Sequence, residues 1–249
     1  MDRMALLEQL QRALVVQVEH PALPDTGNVG LIVVDVVQGF TRRGNLSDPR
    51  SMGPMVDAVD RLVRRLGRHL GPRLRLLLLR DCHDPHVPEP PYPPHCLVGS
   101  GEEQIDPKLE WLTHESTTVV MDKDCINGFV GAMQPVATDQ GPLWRHRLVD
   151  WVLEQHLESL VLAGDCTDIC VSDLAVALLS ARNHGMLTRG HAAAFPIYVH
   201  VPSCATFDLD PDGALAHNEL RHPGPIAQHV GLWVMASRGA RLVEGFTGL

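Results

Sequence analysis

The sequence predicts an α/β fold, a single domain built on a mostly parallel β-sheet with helices on both faces. Three observations lead there. Apolar runs of strand length alternate with helical patterns along the chain, the order that calls for parallel strands joined by crossover helices. The runs are continuous, as in Gly30-Leu31-Ile32-Val33-Val34, which fits strands covered on both faces rather than on one. Several of them lead into a charged residue, and open parallel sheets collect their chemistry beyond the carboxyl ends of the strands.

The elements follow in order. Residues 3–18 place Leu6, Leu7, Leu10, Leu14 and Val18 on one face and predict an amphipathic helix. Residues 1–27 are expected as an N-terminal helical extension within one domain spanning 1–249. The first buried strand covers 30–36 and carries Asp35. A helix over 54–69 turns Arg61, Arg64 and Arg65 to water. The second buried strand, 73–79, leads to Asp81, and the third, 117–121, leads to Asp122-Lys123. A helix over 142–157, a strand over 159–163 and a helix over 169–184 come next. The last helix ends on Arg182-Asn183-His184-Gly185, a basic last turn with a terminal glycine. A strand at 197–201, a short helix at 211–219 and a final helix at 226–237 complete the reading. With no internal repeat and no low-complexity linker, one domain is expected.

Composition narrows the function. The 249 residues, 45% hydrophobic and 20% charged, can bury a sizeable core. A net charge of −9 without a Lys/Arg-rich stripe argues against nucleic acid or an anionic membrane surface as the partner. No signal-peptide pattern and no apolar run of membrane-spanning length is present, so a cytoplasmic protein is expected. Six cysteines stand without a disulfide framework, which favours free thiols, metal ligation or catalysis. Seven of the 19 prolines crowd between Pro85 and Pro107, beside His83, His86 and His95. A proline-rich loop of that length in a compact domain is usually functional.

Two groups of residues carry chemistry. In Gly164-Asp165-Cys166-Thr167-Asp168-Ile169-Cys170, Cys170 falls where a buried strand turns into the first turn of a helix. Orphan N–H groups and the positive end of the helix dipole favour a thiolate there, and the same N–H groups can hold an oxyanion. Asp35, desolvated beside a thiol, can act as a general base, and the Lys123 ammonium would favour thiolate and stabilise developing negative charge. The second group is Asp81-Cys82-His83, followed by Glu89 and His95 across the prolines. Two residues apart in an extended segment, Asp81 and His83 share a face while Cys82 points away. Mixed carboxylate and imidazole ligands suit Zn²⁺, Mn²⁺ or Fe²⁺ better than Ca²⁺ or Mg²⁺. His86 is a spare candidate.

The Asp35, Lys123 and Cys170 pattern resembles the cysteine hydrolases of the isochorismatase-like superfamily, which have a Rossmann-like three-layer fold. The Asp-x-His…His loop narrows the resemblance to the nicotinamidases, with the plant-type branch most similar. The matching segments are VDVVQGF (34–40), RDCHDPHVPEPPYPPHCLVGS (80–100), KDCINGFVGAM (123–133), GDCTDICV (164–171), LSARNHG (179–185) and CATFDL (204–209). HVGLW (229–233) and Arg238-Gly239-Ala240 add support. These span nearly the whole chain after residue 28.

The resemblance implies Cys170 as nucleophile, Asp35 as general acid/base and Lys123 as the third member of a triad. It implies an oxyanion hole from the N–H groups of Cys166 and Cys170, with a cis peptide at Asp165–Cys166. It also implies one divalent metal per subunit, Zn²⁺ ahead of Mn²⁺ or Fe²⁺, held by Asp81, His83, Glu89 and His95, the family varying at the Glu89 position. Phe40 and Tyr92 match aromatic positions lining the family's ring pocket. The implied reaction is hydrolysis of nicotinamide to nicotinate and ammonia through a Cys170 thioester, serving NAD salvage; the apolar helix faces add the expectation of a homo-oligomer. Two alternatives stand beside it: a related cysteine hydrolase acting on another small amide, and a non-catalytic metal-binding scaffold.

Overall fold

The structure is a computed structural model that describes residues 3–188, 195–209 and 222–249. At its centre is a six-stranded sheet of β1 (Asn28–Val34), β2 (Leu74–Asp81), β3 (Thr118–Lys123), β6 (Leu157–Asp165), β7 (Ile197–Ala205) and β8 (Arg241–Val243). The strand order is β3-β2-β1-β6-β7-β8, and every neighbouring pair is parallel. The chain winds outward from β1 to β3, returns to the centre, and winds outward again from β6 to β8. A crevice therefore opens between β1 and β6, the switch point where α/β sheets bind ligands.

Alternation along β1 sets the two cores. Ile32 and Val34 face one side with Leu77, Leu79, Leu160 and Leu162, packed against α5 (Arg147–Glu154), α6 (Cys170–Asn183) and α7 (Gly224–Ser237). Leu31 and Val33 face the other side with Leu76, Leu78 and Val161, against α3 (Pro49–Leu70). The predicted three-layer α/β architecture is what the chain adopts.

Several boundaries differ from the sequence reading. Helix α3 starts at Pro49, not at residue 54, because Asp48 caps it by accepting a hydrogen bond from Ser51 N (3.1 Å), and a proline suits the first helical position. The N-terminal helix α1 (Arg3–Ala13) is shorter than the predicted 3–18. Beyond it the chain runs out and bridges the far sheet edge through Glu19–Val243 and Ala22–Thr247. Two short helices, α2 (Gln38–Thr41) and α4 (Gly128–Gly131), follow the ends of β1 and β3.

The helix expected over 142–157 is corrected. Residues 133–146 form a separate antiparallel hairpin, β4 (Met133–Thr138) and β5 (Gly141–His146), closed by the two-residue turn Asp139-Gln140. Helix α5 begins only at Arg147, where the His146 ring accepts from Val149 N (3.3 Å). Pro135 and Pro142 are tolerated because a two-stranded ribbon has only edges. The short helix read over 211–219 lies outside the described residues.

Candidate active site

Adjacent strand ends deliver the polar groups. Asp81 closes β2 and Lys123 closes β3, paired in register. Asp35 follows β1 directly, its N–H donating to Leu79 O (2.8 Å). Its φ of +54° is a left-handed conformation that Asp tolerates better than most side chains. Asp165 closes β6, and five residues later Cys170 opens α6. The peptide Asp165–Cys166 is cis, as the resemblance implies. The Cys166 carbonyl accepts from both Ile169 N and Val171 N (3.1 Å each), folding this turn back on itself.

The three triad candidates meet. Lys123 Nζ lies 2.9 Å from Asp35 Oδ2, 2.7 Å from Asp81 Oδ1 and 3.8 Å from Cys170 Sγ. Burial works against the charge of Lys123, but Asp35 and Asp81 overcome it and hold the ammonium well above its ordinary pKa. Burial pushes the Asp35 carboxyl up to about 7, against the pull of Lys123 and helped by Asp81. The same burial drives the Cys170 thiol well above its usual range; Lys123 opposes this, while Asp35 and Asp81 reinforce it. This upward push runs against the thiolate that the helix start favours: desolvation and two carboxylates raise the thiol, and one ammonium lowers it. A thiol beside a carboxyl poised near neutrality calls for a general base, not a preformed thiolate.

Next to this group, Asp81 turns its other oxygen toward a second cluster. His83 Nε2 and His95 Nε2 lie 3.0 and 3.2 Å from Asp81 Oδ2, and 3.6 and 3.8 Å from Glu89 Oε2. Asp81, His83 and His95 are all buried, whereas Cys82 between the first two is only partly so. His95 Nδ1 donates to Pro93 O (2.8 Å), which turns the Nε2 lone pair toward the cluster, as ligating histidines require. The ligand atoms of Asp81, His83 and His95 lie within 4.8 Å of one another and could hold a metal ion. Glu89 is anchored from behind, its Oε1 accepting from Ile126 N (2.8 Å). His86 is exposed, and no hydrogen bond or ion pair among the described residues joins its ring to the cluster.

Both groups open into one narrow pocket. Phe40 and Tyr92 line it with Leu46, Ile126, Ile169 and Phe207, above Asp81, Lys123, Cys166 and Cys170. Phe40 and Tyr92 sit 5.7 and 6.1 Å, ring to ring, from His95. Sequence reasoning had not singled out Ile126, Ile169 or Phe207 as pocket residues. All three lie inside matched segments, KDCINGFVGAM, GDCTDICV and CATFDL. Asp165 is a further buried acid: among the described residues both its oxygens lack hydrogen-bond partners, and burial, then Asp35 and Asp81, raise its pKa well above the carboxylate range.

Residues 29–228 match the isochorismatase domain model. The chain belongs to the isochorismatase family. Within it, the chain is 37% identical over 251 residues to Nicotinamidase 1 of Arabidopsis thaliana, with 96% of this chain and 95% of that one covered. It is 22% identical to a nicotinamidase of Acinetobacter baylyi, covering 78% and 88%. Among solved structures, a pyrazinamidase/nicotinamidase from Streptococcus mutans superposes with a TM-score of 0.60 at 17% identity, over 86% of this chain and 99% of that one. The zinc complex of a pyrazinamidase from Pyrococcus horikoshii superposes at 0.58 and 18% identity, covering 87% and 98%. These two share the isochorismatase-family fold with this chain.

Proposed function

We propose that the chain is a metal-dependent amidohydrolase that converts nicotinamide to nicotinate and ammonia through a thioester on Cys170. The observation that carries this reading is the meeting of a buried thiol and a buried ammonium that line one pocket with a carboxyl, raised to about 7, held against the ammonium behind them. The similarity to Nicotinamidase 1 supports nicotinamide as the substrate.

Asp35 takes the Cys170 proton as the sulfur attacks the carboxamide carbon. The carbonyl oxygen becomes an oxyanion facing the N–H groups of Cys166 and Cys170; the latter opens α6 and lies in the first turn, where N–H groups have no intrahelical acceptor. Lys123 remains protonated throughout, offsetting charge on Asp35 and on the sulfur. Collapse breaks the C–N bond, Asp35 returns its proton to nitrogen, and ammonia leaves a nicotinoyl thioester. Asp35 then deprotonates a water that attacks the thioester carbon, and Cys170 recovers the proton as nicotinate departs.

The donor set of Asp81, His83, Glu89 and His95, with its lone pairs converging in a buried site, fits a divalent cation such as Zn²⁺. Bound there, the cation would supply a Lewis-acid anchor for the pyridine nitrogen. Phe40 and Tyr92 would flank the ring, fixing the carboxamide over Cys170. The reading extends to one domain over 1–249 and a cytoplasmic site, supported by six free cysteines and by the lack, among the described residues, of any helix able to cross a membrane. It also extends to a homo-oligomer, supported by the exposed Met133, Leu143 and Trp144 of the hairpin.

Ammonia release from nicotinamide, measured before and after chelation, tests the reading. It expects release that chelation abolishes and Zn²⁺, Mn²⁺ or Fe²⁺ restores. Absence of release from metal-loaded protein would overturn it.

A further inference from the structure

The turn that carries the nucleophile is tied to the pocket wall by one histidine, 52 residues from Cys170 in the chain. His222 Nε2 lies 2.8 Å from Asp168 Oδ2, and His222 Nδ1 lies 2.8 Å from Phe207 O. Asp168 stands midway between Cys166 and Cys170, and Phe207 lines the pocket. The His222 ring also packs on the Phe207 ring, with centroids 4.5 Å apart. Helix α7 closes the third side: a side chain at Gly231 would bring a Cβ within 2.6 Å of Asp168 Cα.

Both partners of this ring are acceptors. A carbonyl oxygen has no proton to give, and neither has a carboxylate, so two hydrogen bonds require both ring nitrogens to donate. That is the imidazolium. His95 meets a carbonyl and a carboxylate in the same way, but His83 Nε2 and Glu89 Oε2 also converge on its Nε2, so a metal ion can stand where the proton would be. Among the described residues no such donor set surrounds His222. The charged groups that act on it most are Asp168 and Asp208, the latter paired with Arg3. Burial lowers the His222 pKa, but Asp168, the Phe207 carbonyl and Asp208 raise it further, and the net shift is upward.

We infer that His222 is a positioning residue that, as an imidazolium, locks the Cys166–Cys170 turn to Phe207 and so aligns nucleophile and oxyanion donors with the ring pocket. The inference rests on the reading of Cys170 as nucleophile. The two contacts have separate consequences: the bond to Asp168 orients the nucleophile turn, and the bond to Phe207 sets the wall against which the substrate ring packs.

Two substitutions divide them. Asparagine places its amide nitrogen near the Nδ1 position and keeps the Phe207 contact alone, and His222→Gln reaches the Nε2 position and keeps the Asp168 contact alone. His222→Asn should lower kcat about tenfold or more with KM little changed, the size of effect a misplaced nucleophile produces. H222Q should keep kcat within about twofold and raise KM about fivefold. Alkylation of Cys170 by iodoacetamide without substrate should change in H222N and not in H222Q. Equal losses in both variants, or none in either, would overturn the assignment. On the unmodified protein, ¹⁵N spectra at pH 7 should show one histidine with both ring nitrogens protonated that disappears in H222N. A neutral tautomer at that position would overturn it even if the variants fail to fold. If the protein releases no ammonia from nicotinamide, the proposed function falls, yet the ring-nitrogen and alkylation results still decide the role of His222.

Discussion

At the residue scale, burial decides which group holds the proton. Cys170, Asp35, Lys123 and Asp81 are all buried, so each charge persists only where an opposite charge supports it. Lys123 has two carboxylates and keeps its proton, Asp81 has Lys123 and two imidazoles and loses its own, and Asp35 is left near 7. A general base works only when deprotonated. Activity should therefore rise as pH rises through about 7 and fall as pH drops below it; a kcat/KM profile checks this, and D35N should lose activity across the whole range. Little of this balance was legible in the sequence. The residue types at the strand ends were readable because they interrupt apolar runs, and Asp35, Lys123 and Cys170 do meet. That burial pushes the thiol up was not readable, because desolvation depends on what covers a group in space. The Asp168–His222 pair was equally hidden, joining residues 54 apart with no periodic pattern to announce them.

At the scale of elements, the close approach of β1 and β6 sets the width of the crevice that holds the candidate site. Gly164 sits there with φ +121°, and a Cβ at this position would lie 2.0 Å from Val34 O. Gly164→Ala must both adopt a disfavoured backbone and push apart the strands that carry Asp35 and Asp165. A loss of about 3 kcal/mol or more is expected, readable as a lower denaturant midpoint, with activity lost before the fold. The buried strands were the easiest elements to read because their apolar runs are continuous and bounded by charges. The hairpin of β4 and β5 was not, because its half-buried alternate positions in β4 are Gln134 and Val136 and the middle of β5 is exposed, so its sequence carries no apolar two-residue alternation. Leu143, Trp144, Leu148 and Trp151 instead fall at spacings compatible with a helix, which is why 142–157 read as one. The N-terminal segment misled for a related reason: Leu7 alone is buried in α1, and Val18 of the same apolar stripe is exposed.

At the scale of the whole molecule, an outward-and-back winding places the ends of β3, β2, β1 and β6 side by side, so residues 130 positions apart, Asp35 and Asp165, border one crevice. Of the candidate metal donors, Asp81 ends β2 while His83, Glu89 and His95 sit on the loop that leaves it, so a bound cation would tie that proline-rich loop to the sheet. Ligands that bind only the folded state stabilise it by mass action, about 2.7 kcal/mol at a hundredfold excess over Kd. Zn²⁺ added to chelated protein should accordingly raise the melting temperature, and the rise should vanish in His83→Ala. The central claim is covalent chemistry at Cys170, and rapid acid quenching of the enzyme during turnover of nicotinamide, followed by mass spectrometry of its peptides, tests it most directly. The account predicts one nicotinoyl group on the peptide carrying Cys170, absent from C170A, which also releases no ammonia. Ammonia release by C170A, or an adduct on any other cysteine, would contradict it.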